Sequence, residues 1–155
     1  MKLPSGPYPL TRSLLSLCGL LWLLCYGFPG PYNHAEILAA LRMTESSGMA
    51  KPPDGDKGKA IGPYQIHKLY WMDAKIPGDY QQCREQEYAE RVIESYMLRY
   101  VAEAWRTCDA ETIARTHNGG PTGRHKSATD KYWARMSKWL RQLPRQSSTE
   151  SPNLR

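Results

Sequence analysis

The chain has 155 residues, with 21 Lys+Arg against 15 Asp+Glu and a formal charge of +6. At 41% hydrophobic and 23% charged it is neither a fibre nor a disordered tail, and its length holds one domain of ordinary size. A mean hydropathy of -0.63 excludes a multi-pass membrane protein.

Ten Tyr and five Trp stand against one Phe, a mix of flat apolar faces with polar tips that suits both cores and wet clefts. Residues 1–30 open with Lys2 and Arg12, no acid, and an apolar run from Ser13 to Leu24. This is the pattern of a signal peptide, or of an N-terminal anchor if it is retained. Without it the +6 falls to +4, because only Lys2 and Arg12 are lost. A mildly basic domain suits an acidic polymer such as a bacterial wall. There is no Arg-rich run and no nucleic-acid motif, so nucleic acid is not an expected partner.

A first helix is predicted from Ala35 to Met43, capped at Asn33 or His34 and ended by Ser46, Ser47 and Gly48. Met49 to Gly62 is turn chemistry, rich in Pro and Gly with Asp54 and Asp56 between them. Ala60 to Ile66 supplies at most a small hairpin, followed by a short helix over Lys68 to Asp73. The longest helix is predicted from Glu85 to Trp105. There Tyr88, Val92, Tyr96 and Tyr100 run beside Ala89, Ile93, Met97 and Val101 as a wide apolar stripe. Asp109 caps a helix from Ala110 to Thr116, and a last helix runs from Ala128 to Leu140. The fold class is therefore mainly α, an α+β domain over 31–142 with a short β-hairpin region and a central buried helix. Residues 143–155 read as a disordered tail.

Glu45, in Thr44-Glu45-Ser46-Ser47-Gly48, is the main chemical candidate. It falls at the negative end of a helix dipole in a partly buried setting. Both disfavour its charge, which suits a general acid. Asp54-Gly55-Asp56 could be a second acid site or a solvated turn. Its glycine and acids do not fall at EF-hand positions, so neither metal nor cofactor is expected. Cys83 and Cys108 are the two cysteines outside the leader. Export would permit a disulfide between them, with two free thiols as the alternative.

Glu45-Ser46-Ser47-Gly48, Gly62-Pro63-Tyr64-Gln65-Ile66, Tyr70-Trp71, Tyr96 to Tyr100, His117 to Gly123 and Tyr132-Trp133 follow one another in a telling order. Over Leu41 to Trp133 this resembles the invertebrate-type lysozymes, and the chain also looks like bacterial lysozyme-like and transglycosylase-like domains. The resemblance implies a small lysozyme-like fold that cleaves the β-1,4 link between N-acetylmuramic acid and N-acetylglucosamine in peptidoglycan. It maps the catalytic acid onto Glu45 and the second carboxylate onto Asp56, eleven residues later, or onto Asp54. A carboxyl gap of roughly 5 Å would give retention and a wider one inversion. Gln65, Tyr64, Tyr70, His117, Asn118 and Gly119 become candidate substrate-binding residues of a monomeric, secreted, periplasmic or envelope enzyme. Lytic transglycosylation, which needs only the glutamate, and non-catalytic glycan binding are the alternatives. The family is cysteine-rich, and this chain departs from it there.

Overall fold

The computed structural model describes residues 31–144. The expected leader over 1–30, and the expected tail apart from its first two residues, lie outside the described residues. Among those described, no helix is long and apolar enough to cross a membrane.

Helix α1 (His34–Ser46) starts from a reciprocal cap: the Asn33 side chain accepts from the Glu36 amide, and the Glu36 carboxylate accepts from the Asn33 amide, both at 2.9 Å. Ile37, Ala40 and Leu41 are its buried stripe. The helix ends where Ser47 turns left-handed (φ 53°), which leaves Glu45 in the last turn.

The expected hairpin is two residues per strand. β1 (Ala60–Ile61) pairs antiparallel with β2 (Ile66–His67), Ala60 facing His67 and Ile61 facing Ile66. Its turn depends on Gly62 (φ +73°), where a Cβ would lie 2.0 Å from the Cys83 carbonyl oxygen. Helix α2 (Lys68–Ala74) follows directly, and a 3-10 turn (Tyr80–Arg84) missed in the sequence leads into the long helix.

That long helix is interrupted. It divides into α3 (Gln86–Tyr100) and α4 (Ala102–Arg106) at Val101, whose φ of -144° and ψ of 48° are not helical. The apolar stripe runs through the break without marking it, because Val101 and Trp105 are both buried. The break redirects Trp105, whose indole stacks on the His34 ring with centroids 4.2 Å apart. Tyr88, Ala89, Val92, Ile93, Tyr96 and Met97 of α3 are all buried, as a central helix requires.

Helix α5 (Ala110–Gly119) is capped by Asp109, which accepts from the Thr112 amide, and runs three residues past the expected Thr116. Two 3-10 turns lead to α6 (Asp130–Gln142), which buries Tyr132, Met136 and Leu140 and packs on both α1 and α5. The core thus lies between α3 and the α1–α5–α6 group, with the hairpin and α2 along one side.

Gly62→Ala should lose about 3 kcal/mol, since left-handed strain and a backbone clash coincide there. Urea denaturation of the two proteins tests this, and an unchanged midpoint would refute the assigned turn.

Candidate active site

The end of α1 carries Glu45 into a nearly closed space, its side chain 17% exposed. The Tyr132 hydroxyl reaches it from α6 and donates to Oε1 at 2.6 Å. The His117 ring, in the last turn of α5 and 4% exposed, brings Nε2 to 3.6 Å from the same oxygen. Its Nδ1 lies 3.3 Å from the Tyr70 hydroxyl of α2, and the ring also bonds the Tyr64 backbone. Tyr70 in turn stacks on Tyr96 of the central helix, centroids 3.7 Å apart. Groups from α5 and α6 therefore meet the carboxylate at the end of α1, with α2 and α3 behind them.

Burial pushes His117 below the ordinary histidine range, against the pull of the Glu45 charge. It is therefore a neutral ring at neutral pH, and its approach to Glu45 is a polar contact rather than an ion pair. Tyr132 is pushed well above the ordinary phenol range, first by burial and then by Glu45, so its proton stays on as a donor.

Glu45 opens onto a cleft of about 300 Å³ shared with Asp56, Gln65, His67, Tyr70, His117 and Asn118. A hollow of about 360 Å³ beside His34 and Trp105 holds Glu87, Glu90 and Glu94 but none of the candidates.

The two candidate aspartates separate. Asp56 lines the cleft, 57% exposed, on a left-handed residue (φ 43°), and its Oδ2 lies 3.8 Å from His67 Nε2. Asp54 instead faces Arg84, which holds it by two bonds of 2.5 and 2.8 Å. That hydrogen bonding keeps Asp54 below the usual carboxylate range. Asp54 is therefore the anchor of the loop rather than a cleft acid.

Gln65 lines the cleft but has a bracing task. Its amide nitrogen donates to the Gly62 and Pro53 carbonyls, and its Oε1 occupies the space a side chain on residue 55 would need. It so clamps the loop that presents Asp56 to the turn of the hairpin. Tyr64 is fully buried, with its hydroxyl 2.6 Å from Glu90, so it is a core post and not a sugar contact. Gly119 is a packing residue as well: a Cβ there would meet the Thr129 methyl at 2.5 Å, and its carbonyl accepts from Lys126. Cys83 and Cys108 are free thiols, not a disulfide; Cys83 is enclosed in the 3-10 turn, and burial pushes it up to about 12.

Two residues escaped the sequence reading. Tyr132 entered as half of the Tyr132-Trp133 motif, with no role attached, because neither a motif nor periodicity reports where a hydroxyl points. His67 carried no signal beyond its place beside Ile66.

A helical domain with a hairpin flank and an enclosed glutamate over a cleft is of the lysozyme-like class. The Destabilase family model matches residues 36–139, and the chain belongs to that family. It is 39% identical over 79 residues to "Lysozyme 1" of Crassostrea virginica, covering 50% of this chain and 43% of that one. It is 31% identical over 132 residues to "Invertebrate-type lysozyme 6" of Caenorhabditis elegans, covering 77% of this chain and 92% of that one. The crystal structure of Tapes japonica lysozyme superposes with a TM-score of 0.58 at 34% identity, over 72% of this chain and 93% of that one. The chain spans only 43% to 66% of the length of the Crassostrea, Ruditapes and Meretrix lysozymes it matches.

The depressed Asp54 value carries a sign. Its contribution to stability is complete above the unfolded carboxylate value and is lost as pH falls through the lowered folded value. Asp54→Asn should therefore lower the melting temperature at neutral pH, modestly for an exposed pair, with the gap closing on acidification. Thermal melts of both proteins across the acid range test this, and a gap independent of pH would contradict the assignment.

Proposed function

We propose that the chain is a muramidase, hydrolysing the β-1,4 bond between N-acetylmuramic acid and N-acetylglucosamine in peptidoglycan. The observation that carries this reading is that two carboxylates of unlike surroundings, enclosed Glu45 and exposed Asp56, line one cleft. Glycoside hydrolysis uses such a pair: one carboxyl protonates the leaving oxygen, and the other stabilises the cationic sugar or activates water. Glu45 is assigned the first role and Asp56 the second. Asn118 offers an amide to sugar groups along the wall, while the Tyr70 hydroxyl on the same wall is turned to His117. Membership of a family whose relatives are named lysozymes supports the same reading.

A lytic transglycosylase needs only Glu45. Asp56 in the same cleft favours hydrolysis over it. The basic charge of the chain and the signal-like pattern of residues 1–30 support action at a cell envelope or outside the cell.

Digestion of purified peptidoglycan, with product masses and anomers read out, tests the proposal. Wild type should release reducing ends, and Glu45→Gln should fall by at least about 100-fold, the usual reach of general acid catalysis. Asp56→Asn should also lose activity. Anhydro ends would assign transglycosylation instead. No products from wild type, or full activity in Glu45→Gln, would overturn the enzymatic reading or the site.

A further inference from the structure

We propose that Tyr132 is the positioning residue of Glu45: its hydroxyl, 2.6 Å from Oε1, holds the carboxyl so that Oε2 carries the acid proton into the cleft. This rests on the muramidase reading of Glu45 and adds to it a residue 87 positions away in the chain.

The direction of the hydrogen bond follows from what the phenol can reach. Among the described residues Glu45 is its one hydrogen-bond partner, and the residue is 5% exposed. If the phenol accepted a proton from Glu45, its own O–H would be left buried without an acceptor, at a cost. Tyr132 therefore donates, and Oε1 accepts. A neutral carboxyl accepts best at its carbonyl oxygen, so acceptance at Oε1 favours the proton on Oε2. Both protein contacts, from Tyr132 and His117, fall on Oε1, and among the described residues Oε2 has no partner. The oxygen left for the substrate is thus the one that holds the proton.

The contact also strengthens as the reaction proceeds. The Oε2–H bond breaks as the proton moves to the glycosidic oxygen, and the sugar C–O bond breaks with its electron pair on the leaving group. Water captures the sugar cation, and its proton goes to a carboxylate of the site. During proton transfer, negative charge grows on the Glu45 carboxylate. A donor aimed at Oε1 gains as that charge develops, so the bond is worth more in the transition state than before it. The donor is held still: α6 packs against α1 and α5, and Met136, one turn further on, is fully buried. The charged or titratable groups facing this pair are His117 from α5, Tyr70 from α2, Arg135, whose guanidinium lies 5.4 Å over the Tyr132 ring, and Asp56 across the cleft.

The test compares wild type, Tyr132→Phe and Tyr88→Phe. The last loses a buried hydroxyl that bonds Trp71 and Pro77, outside the cleft. With Tyr132→Phe, kcat should fall by about tenfold or more, the range for a bond to a charged group, while KM stays near wild type. The alkaline limb of its kcat profile should move to higher pH, because the charged form of Glu45 has lost a donor. Tyr88→Phe should leave the limb where it is, even if it melts earlier. In 13C-glutamate-labelled protein the Glu45 carboxyl, assigned through Glu45→Gln, should titrate at higher pH in Tyr132→Phe than in wild type. Equal titration in a folded Tyr132→Phe, or a fall confined to KM, would overturn the proposal. A wild type that turns over no peptidoglycan would overturn the muramidase reading, whereas the carboxyl titration needs no turnover and still decides the Tyr132 contact.

Discussion

A carboxylate carried into a nearly closed interior must be given partners, or its burial costs several kcal/mol. The rest of the site answers that constraint at Glu45. The last turn of α1 delivers the group, and the left-handed Ser47 stops the helix before it can be carried away from the cleft. A phenol from α6, an imidazole from α5 and a second phenol from α2 close around it. The second phenol stacks on Tyr96 of α3, so the central helix backs the site without touching the carboxylate. The groups that close around it are two phenols and an imidazole, so none of them brings a fixed cation against the carboxylate.

The other wall of the cleft is built by a different device. Residues 54–67 form little regular structure, and their shape is fixed by small pieces fitting tightly. Arg84 pins Asp54, Gln65 spans from the Gly62 carbonyl to the Pro53 carbonyl, and Gly55 leaves room for the Gln65 amide. Gly62 lets the turn lie against the backbone of the 3-10 turn that holds Cys83. Asp56 is then exposed at the rim while its neighbour Asp54 is tied back. Two carboxylates two residues apart so have unlike tasks, one facing the cleft and one anchoring the loop. With no disulfide between Cys83 and Cys108, this loop and the core hold their shape by packing and hydrogen bonds alone.

The sequence by itself determined most of the scaffold. Apolar residues at helical spacing located the helices, the Pro- and Gly-rich stretch located the loop, and Asn33 and Asp109 marked helix starts. These signals are local, because a helix face or a cap is written within a few neighbouring residues. Glu45 was legible for the same reason: a carboxylate at the end of an apolar helix, inside a motif shared with a known family. What only the tertiary structure decided involves residues far apart in the chain. Val101 continues the apolar stripe, yet it breaks the long helix so that Trp105 can meet His34. Tyr64 lies in a motif that resembled a cleft wall, yet Glu90 takes its hydroxyl in the core. Asp54 and Asp56 are equivalent in composition, and Arg84, thirty residues on, separates them. Tyr132 reads as core from its spacing, and it is core, but its one polar atom ends on Glu45. Periodicity reports which face of a helix is buried; it carries no information about the partner on the other side, and in this protein the partner decides the chemistry.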